Sequence, residues 1–135
     1  MASDIRDELG SEPTKMIEEM YPECTDELMK NFDKAYDLWC QKQSDYGDGN
    51  IRLGLSIAHK ESSLPSTRIE NNITLAELGV IIRMNDKMQR LINLYQKKIF
   101  SRVRKIHNES IEDSCIDIMN YANMLIVLKA GKWGK

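Results

Sequence analysis

The chain has 135 residues, of which 30% are charged and 41% hydrophobic, and its formal net charge is −2. This length suits one domain with its own hydrophobic core, and the near balance of charge excludes a general attraction to nucleic acid or to an anionic membrane surface. No apolar run approaches the roughly 20 residues that cross a bilayer, and three widely spaced cysteines argue against a disulfide framework or a zinc site.

The first 24 residues are polar and acidic and are predicted to form an arm before a helical domain at 25–130, with a short tail at 131–135. Such an arm resembles neither a secretory signal nor a transit peptide, and the cysteine pattern is that of reduced thiols. We therefore expect a cytoplasmic protein with no membrane partner and no direct binding to nucleic acid.

The first long helix is predicted to begin after Thr25, a candidate N-cap followed by two acidic residues, and to run to about Ser44. Apolar residues recur along it at helical spacing. The stripe consists of Leu28, Phe32, Ala35, Tyr36 and Trp39. We expect this stripe to face the core.

A glycine-rich segment, DYGDGN at 45–50, is predicted to end this helix. Lys42, Asp45 and Tyr46 stand at this end, where a glycine-rich backbone can approach a ligand and the tyrosine offers a stacking face. The alternative interpretation is an ordinary turn that ends a helix.

Residues 51–58 are apolar and are predicted to form a short helix, and residues 60–73 are predicted to form an exposed loop around Pro65. Thr74 and Glu77 fit a capping box, which predicts that the second long helix begins there. The apolar positions of that helix recur at helical spacing. They are Leu78, Ile81, Ile82, Met88, Leu91, Leu94 and Tyr95.

Four charged residues of the second helix share one face because they lie three, four and seven residues apart. They are Arg83, Asp86, Lys87 and Arg90. Three cations beside one carboxylate suit phosphate binding with one metal ligand. The alternative is a ladder of ion pairs on a solvated face.

The third long helix is predicted to begin at Asn108 or Ser110 and to end before Gly131. No alternating strand pattern is present anywhere. The predicted fold class is therefore all-α, a helical bundle of three principal helices with one or two short ones.

A stripe of acids marks the start of the third helix. Glu109, Asp113 and Asp117 follow one another at four-residue steps, and Asn120 continues the same face. Carboxylates in half-buried surroundings need a compensating cation, and a divalent metal with oxygen ligands is one candidate. The alternatives are a solvated face, with Asp113 capping the helix, and a buried hydrogen-bonding role for Asp117.

Three segments, in this order, resemble the phage and bacterial nucleotide modification associated domain, type one. They are KQSDYGDGN at 42–50, ELGVIIRMNDKMQRLINL at 77–94 and ESIEDSCIDIMNYANM at 109–124. The patterns K-x-x-D-Y-G, R-x-x-D-K-x-x-R-L and E-S-x-x-D-x-x-x-D-x-x-x-Y-A are specific when taken together. That family is thought to belong with the all-α nucleoside triphosphate pyrophosphatases, which include MazG-like proteins and dimeric dUTPases.

The resemblance implies a bundle that holds Mg²⁺, with Mn²⁺ as an alternative, and cleaves a (d)NTP into the monophosphate and pyrophosphate. Such a protein would serve phage nucleotide metabolism or DNA modification in the host cytoplasm. The metal ligands that it implies are Asp86, Glu109, Asp113 and Asp117. The catalytic residues that it implies are Asp86, Lys87, Glu109 and Asp113. The nucleotide-binding residues that it implies are Lys42, Asp45, Tyr46, Arg83, Arg90 and Asn120.

The chain departs from the MazG-like pattern, because the E-x-x-E signature of one helix is absent and the E-x-x-D signature of the next appears only as E-x-x-x-D. Two alternatives therefore stand beside the hydrolase: a non-catalytic protein that binds and sequesters a nucleotide, and a structural helical interaction module. Apolar residues that extend beyond a single stripe on the long helices also indicate a homo-oligomer, a dimer or larger.

Overall fold

A computed structural model of the chain describes residues 12–47, 66–100 and 108–135, with the backbone alone at 66–74 and 108–110. All regular structure in these ranges is helical, which confirms the predicted all-α class. The helices are α1 (Glu12–Met20), α2 (Pro22–Tyr46), α3 (Ser66–Phe100) and α4 (Asn108–Lys129). The short helix predicted at 51–58 lies outside the described residues. No helix in the described ranges is both long enough and apolar enough to cross a membrane.

The chain divides into two compact units, Met1–Lys34 and Ala35–Lys135, so the division falls inside α2. In the first unit, α1 has no buried residue. The predicted core stripe of α2 is wrong in this part of the helix, because Leu28 and Phe32 are both at least half exposed. Tyr36, in the second unit, is also exposed, whereas Ala35 is buried and Trp39 is half-buried.

The start of α2 differs from the prediction, since the helix begins at Pro22 and Thr25 is not its N-cap. Thr25 Oγ1 instead donates to the carbonyl oxygens of Tyr21 at 3.0 Å and Pro22 at 3.2 Å, as a hydroxyl inside a helix does. Proline is favoured at the first helical position because its missing N–H group would have no helical partner there.

The start of α3 is also earlier than predicted, because the helix begins at Ser66 and not at the capping box of Thr74 and Glu77. The predicted loop at 60–73 is therefore wrong for residues 66–73. The polar composition of this stretch concealed a helical pattern in which Ile69 and Ile73 stand four residues apart.

The core of the second unit lies between α3 and α4. Ala76 and Val80 from α3 pack with Met124 and Leu128 from α4, and Val80 is fully buried. Half-buried side chains cover this cluster: Trp39, Met84, Tyr121, Leu125 and Trp133. The core therefore joins the two helices that carry most of the predicted polar site.

Two glycines end the helices as predicted. At Gly47, φ is +69° and the N–H group bonds to the Gln43 carbonyl at 2.8 Å. At Gly131, φ is +68° and the N–H group bonds to the Leu128 carbonyl at 3.0 Å, while the N–H group of the next residue bonds to the carbonyl of Val127 at 3.2 Å. Both patterns satisfy the last carbonyls of a helix through a left-handed residue, which favours glycine.

Candidate functional site

A cleft of about 330 Å³ opens in the second unit among α2, α3 and α4. Its volume lies at the lower end of the range for small-molecule sites, which is about 300–1,000 Å³. The side chains that line it are Trp39, Lys42, Gln43, Tyr46, Arg83, Asp117, Asn120, Tyr121 and Met124. The cleft therefore combines aromatic walls with charged and amide groups.

Helical spacing explains why these residues meet. On α2, Trp39, Gln43 and Tyr46 lie four and three residues apart and share one face. On α4, the lining residues recur at steps of three and four from Asp117 to Met124, which places the acid stripe on the same face as part of the core. Arg83 enters from α3, one turn beyond the buried Val80.

Asp117 is the electrostatic centre of the cleft. Its Oδ1 atom lies 2.9 Å from Lys42 Nζ on α2, and its Oδ2 atom lies 2.9 Å from Lys87 Nζ on α3. The Asp117 side chain is only 12% exposed, against 45% for Lys42 and 27% for Lys87. The Asp117 carboxylate on α4 thus forms ion pairs with both α2 and α3.

The pKa of Asp117 follows from this arrangement. Burial by itself raises the pKa of the carboxyl group, because it disfavours the charged form, but hydrogen bonds from Lys87 and Lys42 and their positive charges outweigh burial. The net result is a pKa below the ordinary value of an aspartate. Asp117 is therefore ionised at neutral pH, in agreement with its two ion pairs.

The charged side chains that line the cleft are two cations and one carboxylate. The cations are Lys42 and Arg83, and the Asp117 carboxylate bridges Lys42 and a third cation, Lys87. A partly buried excess of cations, with Arg among them, is suited to a phosphate or another multivalent anion.

Three aromatic residues line the cleft, Trp39, Tyr46 and Tyr121, and Trp39 contacts two further rings that lie outside the lining. Tyr36 and Trp39 stack at a centroid distance of 6.5 Å with an interplanar angle of 18°. Trp133 meets Trp39 edge to face at 6.1 Å and 79°. The C-terminal tail therefore folds back onto α2, and Tyr46, which is 69% exposed, stands on the lining with its ring open to solvent.

Two amide side chains in the cleft differ in their hydrogen bonding. Asn120 Nδ2 donates to the Ala35 carbonyl oxygen at 2.9 Å, so this amide holds α4 against α2. Gln43 Oε1 is buried and has no hydrogen-bond partner among the described residues. A buried acceptor of this kind is costly unless it meets a donor, and a ligand with an N–H or O–H group would supply one.

The predicted site residues separate into two groups. The structure brings together, in the cleft or directly on its Asp117 carboxylate, Lys42, Tyr46, Arg83, Lys87, Asp117 and Asn120. It places outside the lining, with exposed side chains, Asp45, Asp86, Arg90 and Asp113. The side chain of Glu109 lies outside the described part of the chain.

The implied Mg²⁺ site is not completed by the side chains that the structure describes. Among them, no group of three acidic, histidine or cysteine side chains is placed to hold one ion. Both carboxylate oxygens of Asp117 already accept hydrogen bonds from ammonium groups, which a metal ion would have to displace. These residues fit an anion better than a cation.

The sequence pattern did not predict four of the lining residues to bind a ligand. They are Trp39, Gln43, Tyr121 and Met124. Trp39 was assigned to the core stripe, and the other three carry no unusual spacing of their own. Helical spacing was the available signal, because Trp39 lies one turn from Lys42, Gln43 one turn from Tyr46, and Tyr121 and Met124 one and two turns from Asp117.

Comparisons of the chain with protein-family models, with curated proteins and with solved structures find no match.

Proposed function

We propose that the cleft binds a nucleotide through its phosphate groups. The observation that carries this proposal is a cleft lined by two cations, Lys42 and Arg83, and by three aromatic rings, with a third cation, Lys87, on the Asp117 carboxylate. Phosphates favour such cations, and a base favours a ring face against which it can stack. This function is common to the hydrolase and the sequestering protein considered from the sequence.

The bound nucleotide is proposed to lie with its phosphates toward Lys42 and Arg83 and its base against Trp39 or Tyr46. Asp117 holds Lys42 and Lys87 in place before the ligand arrives, because each ammonium group bonds to one of its oxygens. Such positioning lowers the entropy that the lysine side chains lose on binding. The buried Gln43 oxygen is available to accept a hydrogen bond from the base.

A second candidate function is the hydrolysis of the bound (d)NTP to the monophosphate and pyrophosphate. It is favoured by the resemblance to the nucleotide modification associated domain, which implies Asp113 and Asp117 as ligands of a metal ion. In this reaction the oxygen of water joins the α phosphorus while the bond from that phosphorus to the bridging oxygen breaks. The described residues do not complete a Mg²⁺ site, so no catalytic step is assigned to the metal.

Binding is tested by calorimetric titration with the common dNTPs and NTPs, first with EDTA and then with Mg²⁺ or Mn²⁺. Arg83→Gln is expected to weaken binding about 10- to 150-fold, since a charge-assisted hydrogen bond contributes roughly 1.5–3 kcal/mol. Arg90→Gln is the matched control, because Arg90 lies on the same helix but is exposed and outside the lining. Circular dichroism checks that both variants fold.

The outcomes separate the hypotheses. Binding that Arg83→Gln weakens and Arg90→Gln does not supports the proposed site, and release of pyrophosphate with Mg²⁺ or Mn²⁺ adds the hydrolase. Binding without product under either metal leaves a sequestering protein. If no nucleotide binds under any of these conditions, the proposal is wrong and the structural helical module remains.

A further inference from the structure

Helix α3 carries a second apolar face that does not pack against α4. Its large side chains remain about half exposed or more, from 45% for Ile92 to 70% for Ile99. Together with one polar residue they form what we call the α3 stripe: Leu78, Ile81, Asn85, Met88, Ile92, Tyr95 and Ile99. A contiguous exposed apolar surface of this kind marks an interaction site.

The α3 stripe has the spacing of a coiled-coil seam. Its members follow one another at steps of three, four, three, four, three and four residues, which is the a/d pattern of a heptad repeat. At about 1.5 Å per residue the stripe from Leu78 to Ile99 is about 32 Å long. A partner that matches it over this length is another helix with the same period.

The α3 stripe is also distinct from the face that α3 turns toward α4. At about 100° per residue, Met88, Ile81 and Ile92 lie about 80°, 100° and 120° around the helix from the buried Val80. The cleft residue Arg83 lies about 60° away in the opposite direction. A partner on the α3 stripe would therefore leave the core and the cleft in place.

We infer that the α3 stripe is the site at which a second copy of this chain docks, with the two α3 helices antiparallel. In an antiparallel pair, a positions of one helix face d positions of the other. In one such two-fold register Leu78 faces Tyr95 of the second copy, Ile81 faces Ile92 and Asn85 faces Met88, while Ile99 lies beyond the last of these layers. The same surface serves both copies, as a two-fold interface requires.

Charge along the edge of the α3 stripe selects this orientation. Glu77 precedes the first member, and Lys98 lies at the other end, with its Nζ atom 5.8 Å from the centre of the Tyr95 ring. In the antiparallel register, Glu77 of one copy lies near Lys98 of the other. In a parallel pair, Glu77 and the partner's Lys98 would lie 21 residues apart along the interface, so this attraction between opposite charges would be lost.

The first test is the mass of the protein in solution, measured by analytical ultracentrifugation over a dilution series. The wild-type chain is expected to be a dimer, and Ile92→Glu is expected to shift it to the monomer, because it sets a carboxylate against the apolar Ile81 of the second copy. Asn93→Glu is the matched control, since the neighbouring residue is exposed and lies off the α3 stripe. It is expected to remain dimeric.

The second test fixes the orientation by exchanging charges. Glu77→Lys and Lys98→Glu alone are each expected to weaken the dimer about tenfold, and the double variant is expected to restore it, which is the behaviour of an opposed pair. A monomeric wild-type chain at its highest soluble concentration overturns the inference. A dimer that is unaffected by Ile92→Glu overturns it as well, and single variants without effect overturn the antiparallel arrangement.

Discussion

Lys42 Nζ donates a hydrogen bond of 2.9 Å to Asp117 Oδ1 across 75 residues of sequence, and so connects α2 to α4 at the floor of the cleft. The second oxygen of Asp117 accepts a bond of the same length from Lys87 on α3. A single carboxylate thus contributes both to the stability of the helical arrangement and to the position of two cations in the proposed nucleotide site.

Stability at acid pH is expected to depend on Asp117. Its pKa is lower in the folded chain than in the unfolded chain, so it stabilises the fold above its unfolded pKa and ceases to do so as the pH falls through the folded value. The melting temperature of the wild-type chain should therefore fall below about pH 4, and Asp117→Asn should lose this part of the pH dependence.

Two comparisons make this pH prediction specific. Asp117→Asn should also cost about 1–3 kcal/mol at pH 7, because charge-assisted hydrogen bonds to two lysines are lost. Asp113→Asn, an exposed position one turn earlier on α4, should leave both the stability at pH 7 and its decline in acid nearly unchanged. Parallel pH curves for Asp117→Asn and the wild-type chain would contradict the role given to Asp117.

The core between α3 and α4 is expected to be sensitive to the loss of volume. Leu128 is 7% exposed and belongs to the cluster with Val80, so Leu128→Ala should lower the free energy of unfolding by about 2–5 kcal/mol. Ile126→Ala, two residues away and 66% exposed, should change it by less than about 0.5 kcal/mol. Urea unfolding followed by circular dichroism measures both, and similar values for the two variants would contradict this core.

Whether a charged residue of α3 reaches the cleft depends on its angular position around the helix relative to the side that packs against α4. The spacing of Arg83, Asp86, Lys87 and Arg90 correctly predicted one charged side of α3, but not which of its members would reach the cleft. The packing of Val80 against α4 determines which side of α3 faces the core and the cleft. Lys87 and Arg83 then lie about 20° and 60° from Val80, whereas Arg90 and Asp86 lie about 80° and 120° away and remain exposed.

Two further differences between the predictions and the structure also have local causes. Lys42 and Asp117 both line the cleft, yet the sequence does not predict their mutual ion pair, because nothing in either segment specifies how α2 and α4 approach each other. The sequence does not predict the start of α3 at Ser66, because the polar composition of residues 66–73 favours a loop. Composition reports solvent exposure, and an exposed helix can have the composition of a loop.

Truncation of the buried Ser114 side chain is expected to have the opposite effect on stability from truncation of a core residue such as Leu128. Ser114 is 1% exposed, and its Oγ atom has no hydrogen-bond partner among the described residues. Removing an unpaired buried polar atom should not destabilise the fold, so Ser114→Ala should leave the melting temperature unchanged or raise it. Ser114→Val adds volume at a packed position and should lower it. Thermal unfolding distinguishes the two, and a marked loss in Ser114→Ala would show that the hydroxyl group is paired in solution.

The bond from Asn120 to α2 is expected to contribute measurably to stability. Asn120→Ala removes the donor to the Ala35 carbonyl and should lower the free energy of unfolding by about 0.5–1.5 kcal/mol, since one hydrogen bond of ordinary strength is lost. Asn123→Ala is the control, because Asn123 is exposed on the same helix. Chemical unfolding measures both, and equal effects of the two substitutions would argue against this contact.

Tryptophan fluorescence offers a direct report on the cleft, because the chain has two tryptophans and they touch each other. Trp39 lines the cleft. Trp133 is not among the lining residues and contacts the Trp39 ring edge to face. A nucleotide base stacked on Trp39 should quench its emission in a saturable titration, and Trp133→Phe should keep this response while Trp39→Phe loses it. Quenching that survives in Trp39→Phe would place the ligand elsewhere, because no other tryptophan borders the cleft among the residues that the structure describes.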